Sequence, residues 1–277
     1  MLQIRNTHPT LANRARNAST AEYPFIWKGL VGAWGASIDP AAHDLSGYGH
    51  NGTVTSTIET HAGQGGKSWN FDNVVDEKID CGAHAALQAQ ATPLTVSAWI
   101  KCHGDYTTTQ SFLTCAFGGS LVNWALEFGR TANKFTWLNN NNAIHLTSAI
   151  SLSDDDWHHV LMSRSGVTSA WVLNFYFDGK FDKTASTSGN SDVTAGSLYI
   201  GCWRNGVSTI NEADMSIDGV MVHNRAFIAS EAKQLYEATK NDRTAWARRR
   251  SIPIPYAPAA APAGGNPWNY YAQQGAA

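Results

Sequence analysis

Two short stretches carry the residue types that hold sugars. Trp137-Leu138-Asn139-Asn140 and Cys202-Trp203-Arg204-Asn205 each set an indole beside amide or guanidinium groups. A flat aromatic face can lie against a pyranose ring while the polar groups bond its hydroxyls. The competing reading puts both tryptophans in the core and the asparagines in turns. Near the end, Arg248, Arg249 and Arg250 form a basic cluster, and Trp268, Tyr270 and Tyr271 make the tail too aromatic to be idle. These six residues are candidates for contact with a partner. His158 and His159 suggest metal or acid–base work, but neighbours in a strand point to opposite faces and cannot grip one ion. The pattern predicts one partly buried and one exposed imidazole. No Gly-x-Ser-x-Gly elbow and no phosphate loop appears, so nothing points to a nucleophilic hydrolase or a nucleotide enzyme.

Positioning such groups falls to short strands. The chain has 277 residues with 11 Trp, 24 Gly and only 15% charged residues, a composition that suits sheets and tight turns. A formal charge of −2 gives no general drive toward nucleic acid or acidic lipid. Leu94, Val96, Ala98 and Ile100 alternate with Thr95, Ser97, Trp99 and Lys101, the period of a half-buried strand. Similar runs recur at 67–72, 124–128, 134–138, 159–163, 173–177, 197–202 and 215–223, separated by turn signals. Trp157 to Phe177 reads as a hairpin turning near Ser165-Gly166, with Asp178-Gly179 opening the next turn. Phe25 to Trp34 reads as a first strand broken by glycines, and Ser230 as the N-cap of one late helix. The expected division is an N-terminal arm (1–24), a sandwich domain (25–240) and a basic, then Pro/Ala-rich tail (241–277).

Cys81, Cys102, Cys115 and Cys202 have no CxxC spacing, which argues against structural zinc. Cys102 and Cys115 could meet across a hairpin, but the sequence leaves the pairing open, and the compartment rule favours free, buried thiols. The opening Met1-Leu-Gln-Ile-Arg has no apolar stretch of a secretion signal, and no run approaches the ~18 apolar residues of a membrane span.

The order of motifs resembles the laminin G-like and pentraxin-like jelly rolls of the concanavalin A-like superfamily. Leu30-Val-Gly-Ala-Trp34, Asp44-Leu-Ser-Gly47, Asn70-Phe-Asp72, Leu94-Thr-Val-Ser-Ala-Trp-Ile100, Trp157-His-His-Val160 and Leu198-Tyr-Ile-Gly201 carry the likeness, with Asn73 where the family has glycine. The resemblance implies an all-β, two-sheet antiparallel jelly-roll sandwich with extended arms and one short C-terminal helix. It also implies a calcium site of Asp44 and Asp218, completed by Gly47 and Asn51, since members bind Ca²⁺ between those loops and the ion needs six to eight oxygens. Asp44 capping its own turn is the plainer alternative. Glu212-Ala-Asp-Met-Ser-Ile-Asp218 resembles the catalytic strand of the glucanases in that superfamily, but the second glutamate is missing. Asp218 lies too far along the strand to stand about 5 Å from Glu212.

The chain also resembles, more loosely, phage virion proteins that carry one jelly roll between arms. The function expected is therefore non-enzymatic. The chain reads as a structural or capsid-decoration protein of a virion, made in the host cytoplasm and anchored to other subunits through its arms. The jelly roll itself would be free to touch surface glycans. A soluble lectin is the alternative, and a glycoside hydrolase comes third.

Overall fold

The computed structural model describes residues 21–247 except short segments at 56–57, 64–65, 89–91, 105, 107, 117–121, 140–142, 168–169, 188–195, 206–207 and 243–244. The first elements are α1 (Pro24–Trp27), β1 (Leu30–Trp34), β2 (Thr53–Val54), β3 (Glu59–Gly63), β4 (Gly66–Asp72), β5 (Ile79–Asp80) and α2 (Ala85–Gln88). Long strands follow: β6 (Leu94–Cys102), β7 (Gln110–Ala116), β8 (Val122–Thr131), β9 (Lys134–Asn139) and β10 (Ala143–Ser151). Then come β11 (Trp157–Val167), β12 (Ala170–Phe177) and β13 (Lys180–Thr187). The chain closes with β14 (Ser197–Ile200), β15 (Trp203–Asn205), β16 (Ser208–Ile210), β17 (Asp214–His223) and α3 (Ala229–Thr239).

Two antiparallel sheets pack face to face. The larger runs β13-β12-β11-β6-β17-β4-β3, with β1 also on β17; the smaller runs β10-β9-β8-β7-β14-β5-β2. The alternation in β6 works as expected. Leu94, Val96, Ala98 and Ile100 enter the inter-sheet core with Trp69, Phe71, Phe112, Trp124 and Phe135. A second core lies on the other face of the larger sheet, where Leu161, Tyr176 and Met221 meet Leu235 of α3 and Trp246. The helix therefore covers one part of that face and leaves the rest open.

Local chemistry explains the boundaries. Asp178 and Gly179, at φ 47° and 71°, form the two-residue turn between β12 and β13 that such positive angles favour. Asn73 stands at φ 57°, a left-handed position where asparagine is the best tolerated substitute for glycine. Three expectations are corrected. Residues 25–27 do not begin a strand: Pro24 fits the first turn of a helix, and Gly29 at φ 75° ends the segment before β1. The hairpin does not turn at Ser165-Gly166, because the ladder continues through Gly166↔Trp171 to Val167↔Ala170. Ser230 sits inside α3, and the cap is Ile228, whose N–H donates to the Glu231 carboxylate at 3.1 Å. All four cysteines are free and buried; Cys102 and Cys115 sit on β6 and β7, which belong to opposite sheets.

Candidate functional site

The structure takes the two tryptophan clusters away from solvent. Trp137 and Asn139 lie in β9, not in a loop, and both are fully buried, with Trp137 stacked on Trp124 at 5.7 Å. Trp203 is buried in the β15–β16 hairpin. Asn140 and the side chains of Arg204 and Asn205 lie outside the described residues, as do Arg248, Arg249, Arg250, Trp268, Tyr270 and Tyr271. The expectation of two solvent-facing indoles is corrected. Strand alternation aims Trp137 into the sandwich, where its area contributes to packing.

The residues of the expected calcium site do not make one donor set. Asp44 Oδ1 accepts from the N–H groups of Ala33 and Ser46 at 3.1 and 2.9 Å. Its Oδ2 accepts from the Ser46 hydroxyl and the His50 N–H at 2.8 and 3.0 Å. Four internal donors occupy the roughly four lone-pair sites of a carboxylate. Asn51 Oδ1 is likewise engaged by the Asp44 N–H at 3.0 Å, and Gly47 serves the turn with φ 95°. Ala33 turns both its N–H and its C=O toward Asp44 and Leu45, away from β17. Asp218 lies in β17, fully buried, and accepts from the Ser37 N–H and hydroxyl. Strand β1 thus separates the two carboxylates. The glucanase comparison meets the same obstacle, since Glu212 precedes β17 and Asp218 is committed to Ser37.

What the folding does bring together is a cross-strand row. Trp157 pairs with Lys101, Lys101 with Ser216, Ser216 with Asn70 and Asn70 with Glu59, spanning β11, β6, β17, β4 and β3. Ile100, Ile217 and Phe71 enter the core, so Lys101, Ser216 and Asn70 face outward. Directly paired residues share a face. Four interstrand steps of about 4.8 Å make the row roughly 19 Å long. Its floor is deep, with Ser216 and Asn70 each only 5% exposed. Lys101 and Trp157 are partly buried, and Glu59 is exposed at the rim.

A chain of hydrogen bonds fixes that floor. Asn70 Nδ2 donates to Asp72 at 2.6 Å, which leaves Asn70 Oδ1 to accept from the Ser216 hydroxyl at 3.0 Å. The Ser216 proton is then committed. His103 Nε2 lies 3.1 Å from Ser216 Oγ and its Nδ1 3.2 Å from Asp214. Ser216, His103 and Asp214 have the composition of a nucleophilic triad, but the serine proton points to Asn70 instead of the imidazole. The arrangement presents fixed polar groups instead of an activated nucleophile.

His158 and His159 point to opposite faces as expected. His158 is held between Asp178 and Asp154 at 2.8 and 2.9 Å. Burial opposes its charge, but the bonds to Asp178 and then Asp154 outweigh that and raise its pKa. His159 is buried, not exposed, because α3 covers that side: its ring lies 5.3 Å from Trp99 and 6.4 Å from Tyr236. Burial lowers its pKa to about 4. The row itself escaped sequence reading because register, not spacing, joins its five members. The signal present was the alternation Asp214-x-Ser216 and Asn70-x-Asp72.

The sequence matches the concanavalin A-like lectin/glucanases superfamily, in its laminin G-type branch, over residues 76–233. No curated protein shows significant similarity to the chain. Among solved structures, the binding domain of Paraclostridial mosquitocidal protein 1 aligns with TM-score 0.60 and 14% identity, over 76% of this chain and 52% of that one. Domain 4 of AbnA, an extracellular arabinanase of Geobacillus stearothermophilus in complex with arabinotriose, aligns with TM-score 0.55 and 16% identity, over 78% and 98%. A Trypanosoma rangeli sialidase aligns with TM-score 0.55 and 16% identity, over 76% and 33%. The chain spans about half the length of the toxin binding domains it matches. At these identities the likeness is one of fold.

Proposed function

The chain belongs to the concanavalin A-like lectin/glucanases superfamily, and we propose that it acts there as a non-enzymatic glycan-binding domain. The observation that carries this reading is the row Trp157–Lys101–Ser216–Asn70–Glu59 on the open part of the larger sheet. It offers an indole, an ammonium and a carboxylate over a floor of hydroxyl and amide groups, along a line long enough for several sugar units. Such groups, pre-oriented by their own hydrogen bonds, pay little ordering entropy on binding. Structural relatives solved with arabinotriose and with SialylT support a sugar ligand by analogy of fold.

The test is a glycan array followed by calorimetry on the best hit, with Trp157→Ala and Lys101→Ala variants. Each variant is expected to weaken binding by about tenfold, the loss of roughly 1.4 kcal/mol of contact. Undiminished affinity in both variants would overturn the reading.

A finer proposal is that the domain is displayed on a phage-like virion and anchored by residues 1–24 and 241–277. Its support is geometric. Tyr23 packs against the cluster of Leu235 and Trp246, and Trp246 lies on Trp27, so the described chain enters and leaves near the helix. The open row lies on the other part of the sheet face. Deleting residues 1–20 and 248–277 should abolish incorporation into particles; particles that still carry the shortened chain would refute the anchoring role.

A further inference from the structure

We propose that the groove between α3 and the β12–β13 turn is a second ligand site, and that it takes an anionic sugar, a pyranose carrying a carboxylate or sulfate. The groove holds about 600 Å³ and is lined by Asp178, Lys180, Phe181, Lys233, Tyr236 and Glu237, with small residues of the turn and helix completing it. That volume lies in the range of small-molecule sites. It does not depend on the sheet-face row.

The charge balance decides the ligand class. Two acids and two lysines line the groove, which looks neutral on a simple count. Both acids are already engaged. Asp178 gives one oxygen to His158 Nδ1 at 2.8 Å and the other to the His159 N–H at 2.9 Å. Glu237 is paired with Lys240 at 2.6 Å. Lys180 and Lys233 are exposed and have no ion-pair partner among the described residues. The acids thus spend their oxygens on the protein's own donors, while the two ammonium groups remain available, and the groups left open to a ligand address an anion. His158 sits behind Asp178 and is shared with Asp154, at 2.8 and 2.9 Å.

The aromatic residues say that the anion comes on a ring. Phe181 is 54% exposed, with its edge set by a T-shaped contact to Tyr176 at 5.9 Å. Tyr236 is held in place by stacking on Trp99 at 5.7 Å and by the close approach of Gly179. An exposed phenyl beside two unpaired ammonium groups suits the apolar face of a sugar whose acid group meets the lysines.

The experiment uses the full chain and two matched probe pairs: trigalacturonate with its methyl ester, and a sulfated galactan tetrasaccharide with its desulfated form. At least one anionic probe should bind, about tenfold tighter than its neutral counterpart, and weaken as salt is added. The double variant Lys180→Gln/Lys233→Gln changes only exposed positions and should lose about tenfold of that affinity with an unchanged circular dichroism spectrum. Phe181→Ser should weaken the anionic and neutral members of a pair alike. The proposal falls if neither anionic probe binds, if the neutral members bind equally well, or if the double variant keeps wild-type affinity. It also falls if Glu59→Gln, at the far end of the row on β3, abolishes the anionic binding.

Discussion

Gly179 tests the link between the β12–β13 turn and α3. Its φ of 71° is strained for any L side chain, and a Cβ there would lie 2.9 Å from Tyr236 Cβ and 3.1 Å from the Tyr236 ring. Two separable costs follow for Gly179→Ala. The left-handed conformation costs about 1–2 kcal/mol. The contact with Tyr236 is with a backbone-proximal atom that cannot swing away, so α3 must shift by a few tenths of an ångström, an overpacking cost of about 1 kcal/mol at the low end of its range. Together these make roughly 2–3 kcal/mol, a large share of ordinary stability. For a domain of this size the loss corresponds to a fall in Tm of roughly 5–10 °C. Gly179→Asn separates the terms, because asparagine tolerates the left-handed region yet carries the same Cβ. Thermal melts by circular dichroism should therefore rank wild type above Gly179→Asn, and Gly179→Asn above Gly179→Ala. Equal losses for the two variants would show that backbone strain is not a contributor. An unchanged Tm for Gly179→Ala would refute both terms, and with them the claim that this turn and α3 are rigidly packed.

Two further measurements bear on charge. The folded pKa of His158 is raised, so its stabilisation is complete below the ordinary value of 6.5 and disappears as pH rises through the folded value. Facing it are Asp178 from the β12–β13 turn and Asp154 from the segment before β11; the stability gap between wild type and His158→Gln, followed by urea melts, should close on the alkaline side, and a gap that widens there would contradict the clamp. The buried His159 and His223, lowered by burial to about 4 and about 3, have the opposite sign: the unfolded chain takes up their protons first, so stability should fall from pH 6.5 toward 4. A net gain in stability over that interval would show that these rings are not held neutral. Chelation with EDTA should leave the Tm unchanged, because Asp44 is saturated by β1 and its own loop; a reproducible fall would mean that a metal displaces those donors.

The sandwich was legible because alternation is a property of single strands. In β6 the apolar and polar sets fall on the faces that their period assigns. The same rule marks 134–138 as a strand, and β9 runs one residue further, to Asn139. A run of Asn marks a turn but does not say how far the preceding strand extends. The row at Trp157 depends on which strands become neighbours, and β4, β17, β6 and β11 are drawn from distant parts of the chain. No local pattern encodes that adjacency. The groove at α3 was hidden for a related reason. That its acids are engaged by His158 and Lys240 while Lys180 and Lys233 stay open is something only the folded arrangement reveals.

Strand β17 has a consequence for how the protein is made. It lies between β6 and β4 and also receives β1, so the larger sheet is in two pieces until the last strand exists. The bond from His223 Nε2 to the Ile26 carbonyl joins residues 197 apart. At ribosomal rates of 5–20 residues per second, roughly 10–40 s pass between the synthesis of the two ends of that bond. During that interval β1, β3 and β4 have no sheet to join, and their unpaired edges are open to pairing with other chains. Folding is thus bound to be late and non-local, with slow closure as the usual companion of such topology. Expression should gain from conditions that slow aggregation during synthesis, such as low temperature or added chaperone. A chain cut before β17 should be insoluble even though it retains most of the core residues.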